Sequence, residues 1–292
     1  VRLKRLRLTN KQLINEKPTA NSSGLFRIRA KLAYDGTNYA GFGKQPDQVS
    51  IQGEVEKSLK QIFNASIKTI AAGRTDRGVH ARGQWIHFDL TEKSWQKVKD
   101  PKYSLNQVLP SDIRILEIEK VSKDFDARYS ALWRRYTYWV ADKTHQLDPL
   151  RRHYVYKFGY KLDLAKLNEA SHLLTGLHDF ATYCKPRENS STVRNLMQFD
   201  WQIIEGLYVA ELKADAFCYG LVRNLIGAVL PAGGGAIDVL EPKTRLDKRQ
   251  RTETIFQAPA SGLVLEEISY PEAKLWAAQA KITRNPRVLP SI

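Results

Sequence analysis

The stretch AAGRTDRGVHARGQ, Ala71 to Gln84, places one acid among cations. Asp76 lies between Arg74 and Arg77, with His80 and Arg82 behind it and Gly73 and Gly78 on either side. An Asp in a glycine-bounded turn has two ordinary uses. Its side chain can bond nearby backbone N–H groups and close the turn. It can instead stand ionised in a basic cleft, as a nucleophile or general base. Position alone favours the first use. Arg74, Arg77 and Arg82 exceed what a turn requires, and Thr75 and His80 add polar groups. The aromatic strand that follows, Trp85 to Phe88, is a rigid mount, and these features favour the second use. No second carboxylate lies close in sequence, which weakens a two-carboxylate hydrolase. His80 and His87 lack acid or cysteine partners at ligand spacing, so no metal site is expected.

Two distant residues bear on the same question. Arg223 sits among Leu221, Val222, Leu225 and Ile226 on an apolar helical pattern. A charge there either carries its head out to solvent or pairs with a carboxylate, because an isolated buried charge is costly. Tyr136 lies in ARYSALWRRYTYWV, where Arg128 and Arg134 interleave with aromatic residues. Strand alternation sends most of these rings to the core. Arg and aromatic interleaving also suits base stacking with phosphate contact.

These residues need elements to hold them. FRIRAKLAY alternates, with Phe26, Ile28, Ala30, Leu32 and Tyr34 on one face and Arg27, Arg29 and Lys31 on the other, and predicts a half-buried strand. Ser50 is an N-cap for a helix carrying Ile51, Val55, Leu59 and Ile62. Strands are predicted at QWIHFDL, SDIRILEIEKV and RRYTYWVA. Asp163 caps a helix through Leu174 that ends at Gly176. FDWQII and YVAELKA form a hairpin across Glu205-Gly206. Phe217, Leu221, Leu225 and Val229 fall at helical spacing, in an apolar run that breaks at Pro231, and GLVLEEISY is a last strand. Hairpin-length gaps favour antiparallel pairing and an α+β class.

The chain has 292 residues, enough for one large domain or two ordinary ones. Lys and Arg number 46 against 31 Asp and Glu, a net charge of +15 that suits a polyanionic partner such as nucleic acid or a merely basic surface. Residues 1–24 hold six basic residues and one acid, Glu16, so +10 remains on residues 25–292. No apolar run reaches the roughly 18 residues of a membrane helix. Cys184 and Cys218 lie far apart and form no C-x-x-C, so neither a disulfide framework nor a zinc site is expected. The start lacks an apolar secretion signal, and a cytoplasmic protein with a mobile basic tail is expected.

Taken together, these stretches resemble the TruA family of tRNA pseudouridine synthases from about Phe26 to Tyr270. YDGTNYAGF with SIQGEVEKSL resembles the family's opening motif and first helix. GRTDRGVHARGQ is similar to its active-site loop. LPSDIRI, FDARYSALWRRYTY, LTGLHDFATYC, Arg194, FCYGLVRNLIGAVL and APASGLVLEEISY follow in order. The resemblance implies that Asp76 is the catalytic carboxylate, that Arg74 helps hold or replace a flipped base, that Tyr136 stacks on the target uracil and that Arg223 pairs with Asp76. Arg77, His80, Arg82, Arg128, Arg134 and Arg194 are candidate RNA contacts. It implies an α+β fold of two pseudo-twofold-related halves, residues 25–125 and 126–271, between tails 1–24 and 272–292. The halves share a mixed, largely antiparallel central sheet flanked by helices, with a basic RNA-binding cleft. It further implies a cofactor-free, metal-free isomerase acting on uridines 38, 39 and 40 of the tRNA anticodon stem-loop, as a homodimer with no membrane partner. A synthase of the same fold with another RNA target, or a non-catalytic RNA-binding protein, is the alternative. Departures from the family pattern are Arg77 and Arg82 in place of small or neutral residues, Phe42 where Trp is frequent, and FCYGLVR where a His- and Met-containing run is frequent.

Overall fold

The structure, a computed structural model, describes residues 24–185, 191–251, 255–285 and 287–289. The basic tail read at residues 1–24 therefore lies outside the described residues, apart from Gly24. The described chain forms ten strands, β1 (Leu25–Tyr34), β2 (Ile70–Ala71), β3 (His80–Thr91), β4 (Ile113–Val121), β5 (Trp133–Ala141), β6 (Tyr156–Lys157), β7 (Gly176–Asp179), β8 (Val193–Ile204), β9 (Leu207–Ala214) and β10 (Leu263–Ser269). Seven α-helices accompany them: α1 (Ile51–Phe63), α2 (Glu92–Gln96), α3 (Pro101–Val108), α4 (Leu164–His172), α5 (Leu221–Gly233), α6 (Glu241–Asp247) and α7 (Trp276–Arg284).

The strands join into one sheet in the order β4-β1-β3-β10-β5-β9-β8-β7, with β2 on β3 and β6 on β5. β10 runs parallel to β3 and β6 runs parallel to β5. The other pairs are antiparallel, so the sheet is mixed and largely antiparallel, as expected. β10, last in sequence, sits between β3 and β5. That placement brings the loop before β3 beside the aromatic strand β5.

Local chemistry explains most of the elements. The polar face of β1 meets acids across the sheet, Arg29 with Glu119, Lys31 with Glu117 and Arg27 with Asp89. Its apolar face, Ile28, Ala30, Leu32 and Tyr34, is buried. Ser50 Oγ accepts Gly53 N–H at the start of α1, and Asp163 accepts Ala165 and Lys166 N–H at the start of α4. Glu205 and Gly206 turn the β8–β9 hairpin with φ of 49° and 79°, the left-handed pair of a two-residue turn.

Four features differ from expectation. β3 begins at His80 rather than Gln84, because Gly83 lets β10 come close: a Cβ there would stand 2.3 Å from the Glu266 carbonyl oxygen. Phe217 precedes α5, which starts only after Gly220 turns the chain at φ 79°. α5 then runs through Pro231 to Gly233, since one lost N–H near a helix end removes little. The stretch 272–292 carries α7, whose Trp276 is buried with its ring 4.9 Å from that of Phe125. Among the described residues no helix is long and apolar enough to cross a membrane.

Candidate active site

The segment from Ala72 to Val79 is held by two buried layers. From below, the Tyr34 hydroxyl meets Thr75 Oγ1 at 2.8 Å, and Gln84 Nε2 donates to the Gly73 carbonyl at 2.7 Å and toward the Tyr34 hydroxyl at 3.4 Å. Burial pushes the Tyr34 hydroxyl up to about 12, against the opposing pull of these two bonds, so it stays a neutral bridge. From the side, the glycine-rich loop after β1 packs directly on it. Phe42 N–H donates to the Thr75 carbonyl at 3.0 Å. Gly36 must lack a side chain, since a Cβ there would stand 2.1 Å from the Val79 carbonyl oxygen. The glycines of YDGTNYAGF thus admit the Asp76 loop.

Asp76 enters the turn through its backbone rather than through a side-chain bond to backbone N–H, and its carboxylate is engaged elsewhere. Its carbonyl accepts Val79 N–H at 3.2 Å and closes the turn, with Gly78 at φ 77°. Its carboxylate turns outward, and Oδ2 accepts from Arg223 Nη1 at 3.1 Å. Arg223 stands on the first turn of α5, and its Nε donates to the Ala258 carbonyl at 2.7 Å. Ala258 N–H returns a bond to the Arg223 carbonyl at 3.0 Å. The guanidinium is therefore fixed at both ends, with the Arg223 side chain 17% and the Asp76 side chain 23% exposed. A charge-assisted contact of this kind orients a carboxylate while leaving its second oxygen for other work.

Tyr136 lies on β5 between Leu265 of β10 and Leu212 of β9. Its ring is buried, with Phe217 edge-on at 5.1 Å. Burial raises its hydroxyl well above the ordinary range, and Tyr34 and the Asp76 carboxylate add to the rise. The loop acid, the α5 arginine and the β5 tyrosine thus converge on one place.

The candidate cations divide. Arg74 is exposed beside Gly43, where a Cβ would stand 3.2 Å from Arg74 Nε. Arg77 is exposed and donates to Gln48 Oε1 at 2.8 Å. Arg82 is exposed and pairs with Glu266 at 3.2 Å. Arg128 is exposed with its guanidinium 5.1 Å from the Tyr129 ring centre. The others point inward. His80 is buried, taking Gly36 N–H on Nδ1 and donating from Nε2 to the His153 carbonyl, and its Nδ1 also stands 3.0 Å from Asp35 Oδ1. Arg134 is buried and donates to the carbonyls of Asp215, Ala72 and Arg128. Arg194 is half-buried, with Nη1 on the Val193 carbonyl and a buried Nε that finds no hydrogen-bond partner among the described residues. Among the described residues no group of three or more His, Cys, Asp or Glu is placed to hold a metal ion.

Sequence reasoning missed Tyr34, Gln84, Phe217 and Ala258 as parts of this site. Tyr34 and Gln84 read only as strand residues, and Ala258 acts through its backbone. It also missed that Cys184 and Cys218 are bonded, with Cα atoms 5.7 Å apart. Their 34-residue separation is closed by the β7–β8–β9 meander, which spacing alone does not reveal.

Comparison with known proteins places these features in context. A family model described as tRNA pseudouridine synthase matches residues 30–130 and 170–271. The chain is 42% identical over 272 residues to tRNA pseudouridine synthase A of Streptomyces griseus, covering 91% of this chain and 96% of that protein. It is 39% identical over 282 residues to the protein of that name from Leifsonia xyli, covering 90% and 98%. With the Mycobacterium leprae protein of that name it shares 36% over 279 residues, covering 91% and 97%.

Proposed function

This chain belongs to the tRNA pseudouridine synthase family, and on that premise we propose that it converts uridine to pseudouridine in the tRNA anticodon stem-loop, at positions 38, 39 and 40, with Asp76 as the working carboxylate. The observation that carries the reading is the 3.1 Å contact of Asp76 Oδ2 with Arg223 Nη1 beside the ring of Tyr136.

The reaction defines what each group does. The N1–C1′ bond breaks, and its electron pair leaves with N1. The uracil turns, C5 joins C1′, the C5 proton departs and N1 gains one. Atoms are conserved, so the enzyme is an isomerase. An ionised carboxylate beside the sugar assists by attacking C1′, or by taking the C2′ proton to give a glycal. Both routes begin from the same Asp76 oxygen. Arg223 orients it. The target base must leave its stack, at a cost of roughly a few kcal/mol, and stacking on Tyr136 returns ~1–3 kcal/mol of that by analogy with single-strand binding. Arg74 helps hold or replace the flipped base. Arg77, Arg82 and Arg128 are exposed cations for phosphates, which position RNA without reading its sequence.

The same reading carries the architecture further. Residues 25–125 and 126–271 form the two halves, one contributing β1, β3 and β4, the other β5 and β7–β9, with β10 between them. A net +10 over residues 25–292 suits a basic cleft for tRNA along their junction. The enzyme works in the cytoplasm as a homodimer.

The test is direct. Purified protein is incubated with unmodified tRNA, and pseudouridine is mapped by chemical probing. Product in the anticodon arm is expected, and none there overturns the reading. Asp76→Asn is expected to abolish product while keeping most RNA affinity.

A further inference from the structure

An exposed ring at the head of α5 is fastened more firmly than solvent exposure requires. Tyr219 is 48% exposed. Its carbonyl accepts Lys185 N–H at 2.9 Å, and the Lys185 ammonium stands 5.0 Å from the centre of its ring. The residues just before these two, Cys184 and Cys218, are bonded to each other. A backbone bond, a cation–ring contact and a covalent link thus tie the same two short segments together.

The mounting lies inside the site's own framework. Two residues before Tyr219, Phe217 packs edge-on against Tyr136. Four residues after it, Arg223 holds Asp76. Gly220 turns the chain between them, and a Cβ there would stand 2.8 Å from Gln257 Nε2. The backbone that carries Tyr219 is thus fixed between the residue that packs on Tyr136 and the residue that holds Asp76.

Base flipping creates a need that such a ring meets. When a uridine leaves its stack, the nucleotide beside it loses a stacking partner and exposes one face of its base. An aromatic side chain can take that face whatever the base, because every base has a π-face. A lysine next to the ring can meet the phosphate that links the two nucleotides.

We propose that Tyr219 and Lys185 form a subsite for the nucleotide adjacent to the flipped uridine, with the ring stacked on its base and the ammonium at its phosphate. This deepens the tRNA-uridine reading above and rests on it. It also gives a role to the FCYGLVR run, where the chain departs from the family pattern.

The test uses the full chain and an anticodon stem-loop RNA, with and without 2-aminopurine beside the target uridine. Tyr219→Ala is expected to raise KM about 5- to 150-fold, the range that loss of one base–ring stack covers, with kcat within about twofold. It is also expected to lose the quenching of 2-aminopurine fluorescence seen on binding. Tyr219→Phe keeps the ring and is expected to restore most of the affinity and the quench. Lys185→Ala is expected to weaken binding and lower the salt slope by about one phosphate contact. Tyr103→Ala, a more exposed ring on α3, is the control and is expected to change neither KM nor quench. An unchanged KM and quench in Tyr219→Ala overturns the proposal. So does a fall in kcat at constant KM with a lowered melting temperature, which assigns Tyr219 to supporting α5. Wild-type protein that binds and quenches yet forms no pseudouridine overturns the reaction, and with it the subsite's place beside a flipped uridine. Wild-type turnover with an indifferent Tyr219→Ala overturns the subsite alone.

Discussion

Arg223 and Asp76, 147 residues apart, meet at 3.1 Å, and the arginine is held from behind by the Ala258 carbonyl at 2.7 Å. The pair is a fixed unit rather than a chance surface contact. Its members come from a loop and a helix whose only common feature is where the sheet places them.

Removing the partner while keeping the acid tests that unit. Arg223→Ala is expected to lower kcat by ~10- to 100-fold, in keeping with roughly 1.5–3 kcal/mol for hydrogen bonds to charged groups. KM for tRNA is expected to change little. In urea unfolding, a double-mutant cycle of Asp76→Asn and Arg223→Ala is expected to show a coupling of about 1 kcal/mol or more. Additive effects on stability contradict the pairing.

Tyr34→Phe removes the hydroxyl that meets Thr75 beneath the Asp76 loop. The expected cost is about 1 kcal/mol of stability, with Thr75 Oγ1 left buried and short of a partner. A fall in kcat larger than the fall in RNA affinity is also expected, since the loop carries the carboxylate. Full activity in this variant shows that the loop needs no such support.

Stability is expected to fall as pH drops from about 6.5 to 4. Burial, with Arg27 nearby, lowers the His87 ring to about 4, and its Nδ1 accepts Ala127 N–H at 3.0 Å. The folded pKa lies below the unfolded value, so the unfolded chain binds the extra proton first. The contribution is complete above about 6.5 and is lost as pH falls toward 4. His87→Gln is expected to flatten this part of the profile of melting temperature against pH.

Cys184 and Cys218 close a loop of 34 residues. Chain entropy assigns such a closure about 3–4 kcal/mol, so Cys218→Ser and reduced wild type are expected to unfold earlier by a similar amount. Protein prepared without reductant is expected to show no free thiol in denaturant, and two after reduction. Because such bonds are uncommon in reducing compartments, counting thiols after acid quenching of cells reports on the state the enzyme works in. Two free thiols in the unreduced protein contradict the bond.

Much of this was legible in the chain itself. The alternation of Phe26 to Tyr34, the caps Ser50 and Asp163 and the Glu205-Gly206 turn are local signals, and each element formed where its signal lies. Helices α2, α3, α6 and α7 were not read, because short helices carry too few periods to stand out. Asp76, Tyr136 and Arg223 stood out by residue type in context: an acid among cations, a ring among arginines, a charge on an apolar helix. The order of motifs led to the family.

What no local pattern held was which side chains face each other. Sequence listed His80, Arg134 and Arg194 beside Arg74, Arg77, Arg82 and Arg128 as equal candidates for RNA. Tertiary structure separated them, turning the first three to inner carbonyl groups and leaving the other four exposed. The physical reason is the sheet order. Placing β10 between β3 and β5 decides that the Asp76 loop meets α5 and the Tyr136 strand, and long-range pairing of this kind is a property of the closed sheet, absent from any single segment.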